Sequence, residues 1–565
     1  MDKVNKSPEI LNLTGISEEE KKATSHRQGV IKEHLKKWGC NPAKVPTIMV
    51  LGSGGGTRAS IACQATLTAL AQHDLLDSVM YLSGVSGSTW CMSSLYAWGD
   101  WSKKLEEAEA EMRQRLTEGS WDRRFALEKA KEAAKLEDYS LTDFWAYFVA
   151  YEQTRKLQDE PLTSIKEHSE KGVVPYPIFS AVDKDCLKQW KKKLPQETWF
   201  EFTLHTAGFP AFGSYVTASH FGSKFKAGKL ESRNPERELS YLRGLWSSAL
   251  GDFQTILKII TDAIKNLFKD ICDKAFGSKS EGENCENILQ ILLNLVIAHL
   301  EEKDFLHHLK DLGDSLTSSS TFKETRITTE MSLHGWNSSS SENKETYLSK
   351  VVEKVFELLL KKIKSGSSFF IFLKKTFLCL LLWNWGTNNN FLYKLEGINN
   401  SEVTEHEVFR LVDAGLAINS AYPLALHPAR HVDLILSFDF SAGDPLETIK
   451  VTSDYCEANG IPFPTVDKEK LNKDTKAPSD CYVFEDGAGA EVPVIMHFPL
   501  FNSKNCGGGA DMVEQWRKRY PTFCLSNYSK EDFDDLVLMA KMNVQNQAGT
   551  IMDKIKELAH RASHE

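Results

Sequence analysis

Two glycine-crowded turns limit what this chain can fold into. Each follows a short apolar run: Thr47-Ile-Met-Val-Leu-Gly-Ser-Gly-Gly-Gly-Thr-Arg58 and Tyr81-Leu-Ser-Gly-Val-Ser-Gly-Ser-Thr-Trp90. An apolar strand that runs through glycine into a helix is the repeating unit of an α/β sheet. The first turn offers several free backbone N–H groups beside Arg58, and the second presents Ser86 between Gly84 and Gly87. Glycine neighbours are what a nucleophilic serine on a sharp strand-to-helix elbow requires, because bulkier residues cannot adopt that backbone. Donors in one turn and a nucleophile in the next are two parts of an acyl-transfer site.

The rest of the chain reads as strands and helices in alternation. The strands are expected at Pro46–Leu51, Val79–Ser83, after Pro175-Tyr-Pro-Ile-Phe179, at Thr198–Thr203, Val408–Asp413, Val432–Phe438 and Val492–Phe498. Helices are expected at 16–38 behind Ser17, at Thr57–Asp74, through the charged stretch Trp101–Ala134, and at Asn543–Arg561. Tyr241–Ala249 reads as a loop entering a helix. Composition changes near Gly251: helices at Ile256–Ile271, Ile288–Leu300 and Tyr347–Ile363 bracket a serine-heavy stretch, 315–345, that suggests a mobile insert.

Charge and composition narrow the partners. Lys and Arg number 68 against 77 Asp and Glu, a formal net charge of -9. That balance argues against a nucleic-acid partner, which wants concentrated positive charge. A local patch can still meet a membrane. Eleven cysteines form no CxxC pair, the amino terminus lacks an apolar leader, and no long uncharged apolar run is present. A cytoplasmic protein with free thiols, no transmembrane helix and no metal is the expectation.

Three chemical readings compete. Gly54-x-Gly56-x-x-Ala59 matches a relaxed dinucleotide fingerprint, but the acid such a fold needs at the end of its second strand is missing. Asp74 and Asp77 precede that strand. Asp413, at a strand end before Ala414-Gly415, sits where α/β folds keep functional groups, and where a turn aspartate also bonds its own backbone. A serine–histidine–acid triad would draw its histidine from His427, His431 or His497, none of which lies in a glycine-rich turn.

Gly52-Ser-Gly-Gly-Gly-Thr-Arg-Ala59, Gly84-Val-Ser-Gly-Ser-Thr-Trp90 and Val412-Asp-Ala-Gly415 together resemble the catalytic module of the cytosolic phospholipase A2 group, the group IV enzymes related to patatins. Pro175–Phe179, His220-Phe-Gly-Ser-Lys-Phe225, Asn390-Phe-Leu-Tyr-Lys394 and Ser437-Phe-Asp-Phe-Ser-Ala-Gly-Asp-Pro445 fit it too, so the matches span residues 45 to 502. The chain departs from the group's pattern at Ser247, where relatives have glycine, and at Leu204, where they have proline.

The resemblance implies an α/β, patatin-like three-layer fold. A central, mostly parallel β-sheet would be flanked by helices, with helical insertions and no amino-terminal calcium-binding β-sandwich. Residues 1–44 would be a helical extension and 45–565 the catalytic domain, with a helical insert at 252–382. It further implies a Ser–Asp dyad without histidine, Ser86 attacking and Asp413 taking its proton. Gly55 and Gly56 would supply the oxyanion hole and Arg58 would hold the substrate phosphate. The implied activity is a phospholipase A2 independent of calcium and of any cofactor, acting on glycerophospholipids and lysophospholipids, with lysophospholipase and transacylase reactions. The rival reading is a catalytically idle lipid-binding scaffold of the same fold.

The last four residues hold no prenylation box. Reversible membrane contact, at intracellular membranes such as the endoplasmic reticulum or nuclear envelope, would then use another segment. Lys361–Trp383, lysines around Phe369-Phe-Ile-Phe-Leu373, suits either a membrane surface or a buried lid helix. The oligomeric state is left open.

Overall fold

The computed structural model describes residues 10–248, 253–276, 278–319, 341–363, 365–487, 492–523 and 527–561. It divides into two compact units: Met1–Trp121 with Ala150–Leu250 and Asn388–Glu565, and Asp122–Val149 with Gly251–Thr387.

The first unit is built on a mixed sheet that is parallel at its centre. Ile48–Gly52 lies between Tyr81–Gly84 and Leu434–Asp439, with Tyr176–Asp183 and Val494–Pro499 next outward, all parallel. Every residue of these strands is buried, as expected where helices cover both faces of a parallel sheet. Antiparallel strands Trp199–Phe202, Thr206–Phe209, Ser214–Thr217 and Leu11–Asn12 extend one side, and Tyr482–Phe484 the other. Strand order reverses at Ile48–Gly52, so both glycine turns fall at a topological switch point, beyond the carboxyl ends of their strands.

Local chemistry explains the helices that matter. Gly56–Gln72 is buried almost along its length because Ala59, Ala62, Ala65 and Ala69 keep it slim between the sheet and the long helix Lys530–Arg561. Helix Glu18–Lys37 starts at Ser17, whose Oγ accepts the Glu20 N–H at 3.1 Å. Its far face carries Glu20 to Arg430, and Arg27 donates to the Val79 and Leu76 carbonyls at 2.9 and 3.0 Å.

Three expectations are refined. Tyr241–Trp246 is not a loop: Leu239–Trp246 is helical, and Trp246 stacks on Phe179 at 4.3 Å. That packing outweighs the helix-weakening glycine at position 244. The charged stretch is two helices, Leu105–Thr117 and Arg123–Ala133, separated at Gly119 and restarted by Asp122, whose carboxylate accepts the Arg124 and Phe125 N–H groups. The last helix begins well before Asn543, at Lys530.

The second unit is helical. Phe253–Ala275 buries Ile256, Leu257, Ile260, Ile264, Leu267, Phe268 and Ile271, a spacing of three and four that forms one apolar stripe against Lys279–Leu300. Most of the expected insert, 320–340, lies outside the described residues. Helix Ser367–Leu381 turns Phe370, Phe372, Leu373 and Phe377 inward, where Phe372 meets Phe144 and Phe148, and leaves Ile371 exposed.

Candidate active site

Ser86 occupies the turn between strand Tyr81–Gly84 and helix Gly87–Tyr96 with φ 51° and ψ -119°. A non-glycine residue there carries roughly 1–3 kcal/mol of backbone strain, which the packed turns hold in place. The Ser86 carbonyl points into the helix and accepts the Thr89 N–H at 2.8 Å and its hydroxyl at 2.5 Å. Because peptide C=O and N–H point opposite ways, the Gly87 N–H faces out of the helix. The two turns touch backbone to backbone: a Cβ on Gly87 would sit 2.0 Å from the Gly56 carbonyl oxygen. Glycine at 87 is required by that approach.

The first turn is set with equal economy. Gly55 and Gly56 have φ of 153° and 57°, conformations open to glycine. The Ser53 N–H is taken by Phe438 O, Gly54 N–H by Asn419 O and Thr57 N–H by Thr522 O. The N–H groups of Gly55, Gly56 and Gly87 have no partner among the described residues. They cluster at the amino ends of two helices, where the backbone dipoles favour negative charge.

Asp413 reaches this point by strand register. Strand Val408–Val412 runs antiparallel to Tyr176–Asp183, with Val412 opposite Val182. The other edge of Val182 is already taken by Trp199, so the incoming strand fills the edge that Tyr81–Gly84 leaves free beyond Phe179. Asp413 is the next residue after Val412, and Ser86 lies two residues past Gly84, the partner of Phe179, so both follow strand ends that flank one edge of Tyr176–Asp183. Asp413 is fully buried, and its Oδ1 accepts the Gly415 N–H at 2.7 Å. Burial pushes its carboxyl up to about 7, against the pull of the Ser86 hydroxyl and the Gly415 N–H. The hydroxyl is thus near enough to act on the carboxylate, yet no hydrogen bond of normal geometry joins them: Ser86 Oγ and Asp413 Oδ2 are both buried without a partner.

Arg58 stands in the first turn of its helix but is buried. Nε donates to Phe440 O and Nη1 to Tyr520 O, both at 2.7 Å. Burial lowers its pKa to about 10, with Tyr528 and Asp439 opposing. Nη2 is turned to the first glycine turn, 2.7 Å from where a Gly55 Cβ would stand. Among the described residues no group of three His, Cys, Asp or Glu side chains is placed to hold a metal ion.

No histidine meets Ser86 or Asp413 among the described residues. His497 is buried in its strand, with Nδ1 at 3.0 Å from Ser437 Oγ and Nε2 donating to Pro445 O at 2.7 Å, and burial lowers its pKa. His427 caps a short turn by accepting the Ala429 N–H. Sequence reasoning missed Gly87, although the residue after an elbow nucleophile is a usual oxyanion donor. It also missed Asn419, whose amide donates to Gly54 O and Ser441 Oγ, and for which no short motif gives a signal.

Residues 48–294 match the model of the lysophospholipase catalytic domain. Cytosolic phospholipase A2 gamma of Mus musculus is 41% identical over 574 residues, covering 97% of this chain and 92% of the relative. The Homo sapiens gamma protein is 42% identical over 555 residues, covering 98% and 97%. The solved structure of human GIVD cytosolic phospholipase A2 superposes with a TM-score of 0.65 at 22% identity, covering 99% of this chain and 69% of that one. The shared fold is the patatin-like sheet and its flanking helices. The chain belongs to the cytosolic phospholipase A2 family.

Proposed function

We propose that the chain is a calcium-independent phospholipase A2 working through a Ser86–Asp413 dyad and an acyl-serine intermediate. The single observation that carries this reading is a strained elbow serine beside a buried carboxyl whose pKa burial pushes up to about 7. Ser86 Oγ attacks the ester carbonyl carbon while its proton passes to Asp413. Gly55 and Gly56 donate to the oxyanion, with Gly87 as a third donor. Asp413 then returns the proton to the departing lysophospholipid alkoxide. Water attacks the acyl-serine in the second half, Asp413 taking its proton, and a lysophospholipid in place of water gives transacylation.

The unpartnered N–H groups of Gly55, Gly56 and Gly87 can take the charge of the oxyanion, so this step calls for no metal ion. Arg58 Nη2, beside Gly55, is the donor for the substrate phosphate. Lysophospholipids are substrates of the same site, since one acyl ester is all the chemistry needs. Access to lipid calls for reversible contact of a cytoplasmic protein with intracellular membranes. Ile371 and Leu382, exposed beside lysines of the 361–383 segment, support that segment as the contact.

A long-chain fluorophosphonate tests the nucleophile. One adduct on the peptide carrying Ser86, lost in Ser86→Ala and undiminished in chelator, is the expected result. Labelling elsewhere, or labelling that needs calcium, overturns the proposal.

A further inference from the structure

We infer that Asn419 is a positioning residue for the oxyanion hole, acting through the peptide between Gly54 and Gly55; this rests on the reading of the site given above. A peptide unit with glycine on both sides has no side chain to oppose its rotation, so it flips more readily than any other. Its C=O and N–H point in opposite directions, so whatever fixes the Gly54 carbonyl also aims the Gly55 N–H.

That carbonyl accepts from Asn419 Nδ2 at 3.1 Å and from Ser53 Oγ at 3.2 Å. Ser53 Oγ is itself tied to the Phe440 N–H at 2.7 Å, and Asn419 adds a second hold from the segment that follows Asp413. The same amide donates to Ser441 Oγ at 2.7 Å, and the Asn419 carbonyl accepts the Gly54 N–H at 3.0 Å. Its Oδ1 leaves no space at Gly54, where a Cβ would lie 2.5 Å away. Asn419 therefore holds Gly54 at both its N–H and its C=O, and the second of these contacts bears on the Gly54–Gly55 peptide. It stands six residues after Asp413 on one loop, pinned midway where Trp190 Nε1 donates to Ala417 O at 3.1 Å. One loop thus carries the base at one end and the aim of an oxyanion donor at the other.

The test compares wild type, Asn419→Ala and Asn419→Asp on a monomeric lysophospholipid, with thermal unfolding alongside. Asn419→Asp keeps the side-chain shape and loses both donor hydrogens, so it decides the matter if the alanine variant fails to fold. Expected is a fall in kcat of about 10- to 100-fold with KM within about twofold, the mark of an interaction made in the transition state. A long-chain trifluoromethyl ketone, which adds to the serine as a tetrahedral oxyanion, should lose affinity by a similar factor. A folded variant with unchanged kcat, a rise in KM alone, or unchanged ketone affinity beside a reduced kcat each overturns the inference. Ser86→Ala separates the two levels. If it turns over substrate, the reading of the site itself fails; if it is inactive while both Asn419 variants match wild type, only the role of Asn419 fails.

Discussion

Ser86 Oγ and Asp413 Oδ2 are buried together at the end of the sheet, and neither has a hydrogen-bond partner among the described residues. Unsatisfied buried polar atoms cost stability, so a fold keeps such a pair where something else is gained. A carboxyl with its pKa pushed up to about 7 is a better base than an exposed one, but it must first lose its proton. The acidic limb of the pH profile should therefore report this group. kcat/KM for a monomeric lysophospholipid should rise with pH and level off above about 7. A limb that stays flat down to pH about 5, near an ordinary carboxylate, contradicts the assignment.

Linkage gives the stability counterpart. A carboxyl whose pKa is higher folded than unfolded binds more protons in the native state. Its contribution is fully present below the unfolded pKa of 3.8 and is lost as pH rises through about 7. Asp413→Asn removes the charge and keeps the Gly415 contact. It should be inactive yet more stable than wild type by about 1 kcal/mol or more at pH 8, with the gain shrinking toward pH 5. Chemical denaturation at the two pH values measures it, and equal effects at both would refute the account.

The elbow makes a second stability claim. Ser86→Ala and Ser86→Gly should both lose hydrolysis, but only glycine adopts φ 51°, ψ -119° freely. The glycine variant should be the more stable by about 1–2 kcal/mol, strain relief exceeding the entropy that glycine loses on folding. An alanine variant at least as stable as the glycine one would show that the elbow is unstrained.

Away from the site, Arg430 is the main electrostatic anchor. Its buried guanidinium meets Glu20 at 2.9 and 3.2 Å and Glu201 at 2.8 and 3.0 Å, tying the first helix to the sheet. Arg430→Met leaves two buried carboxylates without their cation and should cost about 3–5 kcal/mol by denaturant unfolding. Burial raises the Glu201 carboxyl, but Arg430 outweighs it and the net shift is downward. Its contribution is therefore present above the ordinary carboxylate range and lost on acidification below it. A cost under about 1 kcal/mol would place the pair among those that contribute little.

What could be read in advance followed from local necessity. Gly52–Gly56 and Gly84–Gly87 are legible because tight turns and touching backbones exclude other residues, and Ile48–Gly52 because a doubly covered strand must be apolar. The facing of Ser86 and Asp413 depends on the registers of two ladders joined to one strand, which no local pattern encodes. Arg58 shows the same limit: its place in the turn is legible, but the Phe440 and Tyr520 carbonyls that hold two of its donors come from distant loops. Leu239–Trp246 misleads because Gly244 and Ser247-Ser248 look like loop residues, while the contact that makes the helix, Trp246 on Phe179, is tertiary.

The central claim is a dyad that needs neither histidine nor calcium. The most direct measurement is fatty-acid release from phosphatidylcholine vesicles in chelator by wild type, Ser86→Ala, Asp413→Ala and His497→Ala, each checked for folding. The account predicts an active wild type, losses of about 10³-fold or more in the first two variants, and at least about a tenth of activity in His497→Ala. A folded His497→Ala as inactive as Asp413→Ala would restore a histidine to the mechanism. A wild type inert until calcium is added would contradict the account outright.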